Sequence, residues 1–425
     1  MDTFETHESN VRSYIRSFPT VFVRARGHQM WDREGRAYID FFAGAGALNY
    51  GHNPPEMRRK MIEYLEAEGV VHSLDMATGA KETFIERFQE TILTPRRMPH
   101  RMLFPGPTGT NAVEAAIKIA RLVTERQPIV SFTNAFHGMT LGALALTGNS
   151  MKREGAGVPL HDVVRMPFCG YLGNEMDTLD YFERVLEDSG SGVDMPAGVI
   201  VETVQGEGGL NVASFAWLKR LAQICKDRGI LLIVDDIQAG CGRTGPFFSF
   251  EPAGIEPDLI CLSKSLSGAG LPLALTLVRP EHDCFGPGQH NGTFRGNNLA
   301  FVTAAEALEH WRDKALTRGV EARAALVAKR LDAIVRRYPE LQGQVRGRGL
   351  MQGIAVGVPE LADAICAEAF RSGLLMETSG AESEVMKVMP PLTIPEDALA
   401  RGLDILDAAV GATLAAAEGG DKDAA

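Results

Sequence analysis

Cysteine is scarce and scattered. The six residues, Cys169, Cys225, Cys241, Cys261, Cys284 and Cys366, include no C-x-x-C pair, which argues against a disulfide framework or a zinc ribbon. Cys225 falls on the apolar stripe of a predicted helix and Cys261 inside a predicted buried strand, where a thiol packs as a small hydrophobe. Basic charge is also short: 43 Lys and Arg stand against 54 Asp and Glu, a net charge of −11. That balance argues against a nucleic-acid partner. No apolar run approaches the ~20 residues of a membrane span. The N-terminus, Met-Asp-Thr-Phe-Glu-Thr-His-Glu, lacks the charged-then-apolar pattern of a signal peptide. The expectation is a cytoplasmic protein with neither membrane nor nucleic acid as partner.

What is present is an ordinary globular composition, 45% hydrophobic and 23% charged over 425 residues. A chain of that length buries roughly three quarters of its unfolded surface, and length alone suggests two or three domains. Residues 20–40 read as a short β-ribbon, followed by a Gly-rich connector, Ala43-Gly44-Ala45-Gly46-Ala47, that ends near Gly51-His52-Asn53-Pro54. Residues 55–68 are helical in pattern.

From about 100 to 300, short apolar strands alternate with amphipathic helices. The strand candidates are Arg101–Phe104, Pro128–Phe132, Ala197–Val201, Gly229–Val234, Asp258–Leu262 and Leu273–Val278. Between them, Thr110–Arg126 carries Val113, Ala116, Ile117 and Ala120 at helical spacing, and Ala216–Asp227 carries Leu218, Leu221, Ala222 and Cys225. This alternation predicts a mainly parallel sheet covered on both faces, an α/β fold. Beyond it lie a long helical region over Ala300–Tyr338, a strand over Gly353–Gly357, a helix over Leu361–Arg371, a Pro-rich strand over Val385–Ile394 and a last helix over Pro395–Ala416. The Gly-, Ala- and charge-rich tail, 418–425, is expected to fray.

Two positions at the ends of neighbouring predicted strands carry the chemistry. Asp235 closes Ile230-Leu231-Leu232-Ile233-Val234, and Lys264 follows Leu259-Ile260-Cys261-Leu262-Ser263. A lysine is rarely buried without a reason. Imine formation with an aldehyde cofactor supplies one, because desolvation lowers the amine's pKa. A carboxylate ~3 Å from a pyridine nitrogen, at an effective dielectric of ~20, favours the protonated ring by roughly 5 kcal/mol. Together they predict a pyridoxal 5'-phosphate site. Ile237 is placed to touch one ring face and Gln238 to bond the phenolic oxygen, whereas Asp236 points the other way on the strand. Thr108-Gly109-Thr110-Asn111 opens a helix after a strand, a pattern that suits a phosphate dianion and equally an ordinary helix N-cap. Phe136, after the Pro128–Phe132 strand, reads as a stacking aromatic or as core, and His137 as a base or a structural histidine.

Taken together, Thr108-Gly109-Thr110, Glu114-Ala115-Ala116-Ile117-Lys118, Phe136-His137-Gly138, 202–209, the run from Asp235-Asp236-Ile237-Gln238 to Gly245, and Lys264 resemble the class-III aminotransferases that depend on pyridoxal phosphate. The likeness runs in order over nearly the whole chain, from Gly51-His52 to Pro390-Pro391-Leu392-Thr393. It implies fold type I: a large domain over 56–310 with a mainly parallel seven-stranded sheet, and a small α/β domain built from both chain ends, 1–55 and 311–425. It implies Lys264 as the Schiff-base lysine and proton carrier, Asp235 as the pyridinium partner, Gln238 at the phenolate, and Phe136 and Ile237 around the ring. It also implies Gly109 and Thr110 at the phosphate, with Thr293 reaching the phosphate of a neighbouring subunit's cofactor. The expected assembly is therefore a homodimer or a higher homo-oligomer.

Two positions depart from the branch that handles GABA and ornithine. Met139 stands where an arginine commonly follows the Phe-His-Gly motif, and Lys387 where an arginine precedes Pro-Pro-Leu. Glu207 matches that branch's switching glutamate, so Glu207 and Lys387 are candidate substrate contacts, although lysine lacks the fork that grips a carboxylate in two places. Three further segments, Glu8–Pro19, Phe42–Asn53 and His72–Thr78, are similar to the branch that makes the precursor of the compatible solute ectoine. That narrower likeness implies transfer of the amino group of L-glutamate to L-aspartate 4-semialdehyde, giving L-2,4-diaminobutanoate and 2-oxoglutarate. The alternatives are another ω-transaminase (ornithine, putrescine or a siderophore diamine precursor), a mutase or racemase, and a non-catalytic cofactor-binding protein.

Overall fold

Strands whose every residue is apolar need a layer on each face, and here they form the centre of a seven-stranded sheet in a computed structural model that describes residues 1–173 and 176–420. The strands are β1 (Arg101–Leu103), β2 (Ile129–Phe132), β3 (Val163–Met166), β4 (Gly198–Val201), β5 (Leu231–Asp235), β6 (Leu259–Leu262) and β7 (Leu275–Val278), in spatial order β1-β7-β6-β5-β4-β2-β3. Strand β7 runs antiparallel to both neighbours, and the other pairs are parallel.

Alternate residues of each strand feed opposite layers. Leu231 and Ile233 of β5 pack with Val113, Ala116 and Ala120 of the helix Gly109–Thr124. Leu232 and Val234 face the other way, with Leu218, Leu221 and Cys225 of the helix Phe215–Arg228. Ser214 caps that second helix through the amide of Trp217 at 3.1 Å, and Gly229, with φ 59°, ends it in the left-handed conformation that favours glycine. Cys225 and Cys261 both lie in these apolar layers, fully covered.

The sequence pattern overlooked β3. It is an edge strand carrying the partly exposed Arg165, whose guanidinium reaches the carbonyl of Ala145 at 2.9 Å, so it never presents an uninterrupted apolar run. The helical region expected over 300–338 is three pieces, Asn298–Ala307, Leu308–Trp311 and Ala315–Arg337. Asp313 makes the break, its carboxylate accepting from the amide of Ala315 at 2.6 Å and starting the next helix. The strand expected over 385–394 stops at Val388, ahead of Pro390 and Pro391, and the last helix runs Glu396–Gly420. Of the tail expected to fray, 421–425 lie outside the described residues.

Both chain ends meet in one sheet. Phe22–Arg26, Gln29–Asp32 and Ala37–Asp40 form a ribbon, and Leu374–Leu375 joins it parallel, with Leu374 opposite Ile39. A second four-stranded sheet holds Gln344–Arg348, Met351–Ala355, Val385–Val388 and Glu377–Ser379 in that order. The Gly-rich connector between the ribbon and the large sheet is a left-handed turn, with φ of 48°, 59°, 53° and 89° at Ala43, Gly44, Ala45 and Gly46. Asp40 fixes its start by accepting from the amides of Phe42 and Ala43 at 2.8 and 2.7 Å, while its other oxygen meets His52 at 2.7 Å.

Candidate active site

Parallel register decides which residues meet. Asp235 is opposite Cys261, so the end of β5 and the segment just past β6 reach the same sheet edge, the carboxyl ends of the strands where α/β sheets bind ligands. Lys264 sits there with φ 49°, a backbone conformation costly for a side chain of this size. Its neighbours hold it in place: Ser263 donates to the carbonyl of Leu273 at 2.7 Å, and Ser265 to that of Gly46 at 2.5 Å. Burial pushes the Lys264 amine below its ordinary range, helped by the Lys387 ammonium and opposed by Glu207, Glu377 and Asp235. Such an amine is a better base and nucleophile at neutral pH than a solvated lysine.

Asp235 is only 4% exposed. One oxygen accepts from Nδ1 of His137 at 2.7 Å and the other from the amide of Ile237 at 3.2 Å. Burial disfavours charge on His137, but the hydrogen bond and charge of Asp235, with Glu202 beyond, override it and raise the imidazole above its usual value. Glu202, covered at the end of β4, is pushed up to about 7 by burial; its oxygens accept from the amides of Phe136 at 2.9 Å and Gly206 at 3.3 Å. Asp236 points away, is covered completely, and accepts from the amide of Ser249 at 3.0 Å.

A cavity of about 150 Å³ lies between these groups. Of the residues singled out from the sequence, Gly109, Thr110, Phe136, His137, Asp235, Ile237, Gln238, Lys264 and Glu207 line it. Three do not. Thr108 spends its hydroxyl on Asn111 Oδ1 at 2.9 Å, Thr293 is exposed on a distant loop with its carbonyl 2.9 Å from His72 Nε2, and Lys387 lies behind Glu207. Residues that the sequence reading left without a role also appear. Glu202 stands beside His137, Ala45 accepts from Gln238 Nε2 at 2.9 Å, and Thr140 joins Thr110 at 2.6 Å. Glu202 belongs to the 202–209 motif. The other two depend on long-range contacts with no local signal.

The class-III aminotransferase family model matches residues 12–410. The chain belongs to that family. This class-III aminotransferase is 58% identical to a diaminobutyrate–2-oxoglutarate transaminase of Oceanobacillus iheyensis over 97% of both chains. It is 56% identical to one of Streptomyces avermitilis, covering 96% of this chain and 97% of the other. A crystal structure of the ornithine aminotransferase of Toxoplasma gondii, with pyridoxal phosphate at partial occupancy in its active site, superposes with a TM-score of 0.83 at 25% identity, covering 97% of this chain and 94% of that one. The fold is the type I fold of these enzymes, and pyridoxal phosphate is the cofactor.

The residues present fit that group. A buried carboxylate closes the deep end of the cavity and a depressed lysine faces it. At the N-terminus of Gly109–Thr124, a Cβ on Gly109 would stand 2.9 Å from Ile237 Cδ1, so only glycine lets the start of this helix lie against Ile237 at the cavity wall. Gln238 Oε1 is buried without a protein partner.

Beside that cavity the transaminase buries three charged side chains against one another. Lys387 is completely covered, its ammonium 3.0 Å from Glu207 and 2.7 Å from Glu377. Cross-strand register places Glu377 directly opposite Lys387, which puts both side chains on one face. Burial alone would raise Glu207, but Lys387 and Lys264, with a hydrogen bond from Gln238, bring it down to about 2 from 4.5. A carboxylate depressed on folding contributes stability that is fully present above its unfolded pKa and lost as pH falls through the folded one. Glu207→Gln is therefore expected to cost stability near neutral pH, and the gap to the unsubstituted enzyme should close between about pH 4.5 and 2. Denaturant melts at a series of pH values check this; a gap that stays constant would contradict it.

Proposed function

We propose that this enzyme transfers the amino group of L-glutamate to L-aspartate 4-semialdehyde, yielding L-2,4-diaminobutanoate and 2-oxoglutarate, the reaction that opens ectoine synthesis. The observation that carries the reading is the 58% identity, over 97% of the chain, to a transaminase named for diaminobutyrate and 2-oxoglutarate.

Pyridoxal phosphate, when bound, supplies the electron sink that stabilises negative charge at the substrate carbon. We assign Asp235 to keep a proton at the ring nitrogen, with the His137 imidazole fixing the carboxylate's orientation. Lys264 Nζ is the covalent anchor; as a free amine it takes a proton from the amino-bearing carbon of glutamate and returns one in the second half-reaction. Phe136 and Ile237 would confine the ring, Gln238 would present its side-chain amide to the phenolic oxygen, and the amides and hydroxyl of Gly109 and Thr110 would hold the phosphate. Glu207 faces the substrate and meets its charged group, while Lys387, expected from the sequence as a contact, is covered behind Glu207 and acts by holding that carboxylate at 3.0 Å.

The domain division follows the resemblance: 56–310 as the large domain, with 1–55 and 311–425 as the small one. The parallel pairing of Ala37–Asp40 with Leu374–Leu375 supports it. We place Thr293 at a neighbouring subunit's phosphate, in a homodimer or larger homo-oligomer. Its exposure beside Phe294, and the exposed Val70, Val71, Leu74 and Met76, support that assembly. A cytoplasmic location is supported by six unpaired cysteines. Among the described residues no helix is long and apolar enough to cross a membrane.

The test is a coupled assay of glutamate with L-aspartate 4-semialdehyde, followed as diaminobutanoate, beside ornithine, putrescine and 4-aminobutanoate as donors. Expected is a kcat/KM at least ~100-fold above that of the other donors; each charged or polar group matched on the substrate is worth roughly one to three kcal/mol. Equal or faster turnover of ornithine or putrescine would reject the assignment.

A further inference from the structure

Beside the cofactor cavity, and sharing Phe136 and Glu207 with it, opens a larger one of about 760 Å³. Its walls carry four carboxylates, Glu207, Asp363, Glu377 and Glu382, against two cations, Arg16 and Lys152. Both cations are engaged: Arg16 donates to the carbonyl and side-chain oxygens of Asn10 at 3.1 and 2.9 Å, and Lys152 lies 4.8 Å from the Phe136 ring centroid. Lys387, buried behind the wall, is shared between Glu207 and Glu377 and balances only one of them.

Glu377 is the under-compensated member. It is 9% exposed, its Oε1 lies 2.7 Å from the Lys387 ammonium that Glu207 also shares, and the Tyr14 hydroxyl is its other polar neighbour. Burial raises its carboxyl despite Lys387, so a second cation is what would hold it ionised. Two residues along the same strand, on the same face, stands Ser379. It is 5% exposed and lines the same cavity, and its hydroxyl has no partner. A buried hydroxyl left unbonded costs about 1–3 kcal/mol, which a ligand at that position recovers.

We propose that Glu377, with Ser379, is a specificity-determining subsite for the ammonium group that the acceptor aldehyde carries away from its reacting carbon. The subsite deepens the reaction reading above and rests on it. It explains why a chain with lysine at 387 carries a second acid opposite it. One carboxylate pairs with the lysine and leaves the other for substrate, so acceptors bearing an ammonium are favoured over those bearing none.

The readout is a selectivity ratio in the cofactor-loaded enzyme: kcat/KM for L-aspartate 4-semialdehyde over that for succinate semialdehyde, the same chain without the ammonium. Glu377→Gln, which keeps shape and removes charge, is expected to lower that ratio roughly tenfold or more, mainly through KM for the first aldehyde. Ser379→Ala should move it the same way by about threefold, and decides the matter if Glu377→Gln does not fold. Calorimetric affinity for L-homoserine, which has the ammonium but no aldehyde, should fall in parallel. A ratio within twofold of the unsubstituted enzyme in the variants overturns the proposal while leaving the reaction intact. Failure of the unsubstituted enzyme to turn over L-aspartate 4-semialdehyde removes the reaction reading itself, and this subsite with it.

Discussion

Lys264→Ala is expected to abolish the visible band that belongs to the lysine-linked cofactor and to lower kcat by ~10⁴-fold or more. The size follows from two roles lost at once. The amine that anchors the cofactor disappears, and so does the base that moves the proton at the substrate carbon. The fold should survive, because the strain at this position belongs to the backbone, with φ 49°, and Ser263 and Ser265 keep their own bonds to Leu273 and Gly46. Lys264→Ala, still at a positive φ, therefore tests chemistry and not folding. Added methylamine should restore part of the rate by replacing the base. Retained multiple turnover at more than ~1% of the original rate would remove the assignment.

Asp235→Asn should be the next most damaging change. A full charge ~3 Å from the ring nitrogen is worth roughly 5 kcal/mol at an effective dielectric of ~20, or three to four units of that nitrogen's pKa. Without it the ring is neutral at pH 7, and kcat is expected to fall ~10³-fold with cofactor still bound. Asparagine keeps the shape and one oxygen, enough for the bond from His137, and gives up only the longer 3.2 Å bond from the amide of Ile237, so the packing is preserved. A second signature separates electrostatics from damage. His137 is raised above its ordinary range, against burial, by Asp235; in Asp235→Asn its titration, followed by NMR, should move down. An unchanged His137 titration together with full activity would contradict the role given to this carboxylate.

The legible part of this molecule was the part dictated by local pattern. Strands buried on both faces announce themselves as apolar runs, and parallel strands separated by helices bring their ends to one edge whatever else happens. Asp235 and Lys264 are therefore placed together by the sequence pattern alone. Gly109, Phe136, Ile237 and Gln238 came with them because each sits within a few residues of a strand end. The Glu207–Lys387 pair was anticipated from two matched motif positions. Glu377 was not, because its meeting with Lys387 is a matter of cross-strand register, which nothing near residue 377 announces. The same limit hid the left-handed turn at 43–46, whose glycines and alanines look like any flexible connector, and whose conformation is set by Asp40 and by contacts with Ser265 and Gln238. Edge strand β3 escaped for the opposite reason: half its residues face outward, which dilutes the apolar signal.

The most direct test of the central claim, that one lysine and one buried acid grip a single cofactor, is borohydride reduction of the loaded enzyme followed by peptide mass spectrometry. The account predicts one phosphopyridoxyl group per chain, on Lys264, with the visible band lost on reduction. A modified lysine elsewhere, or no modified lysine in protein saturated with cofactor, would contradict it.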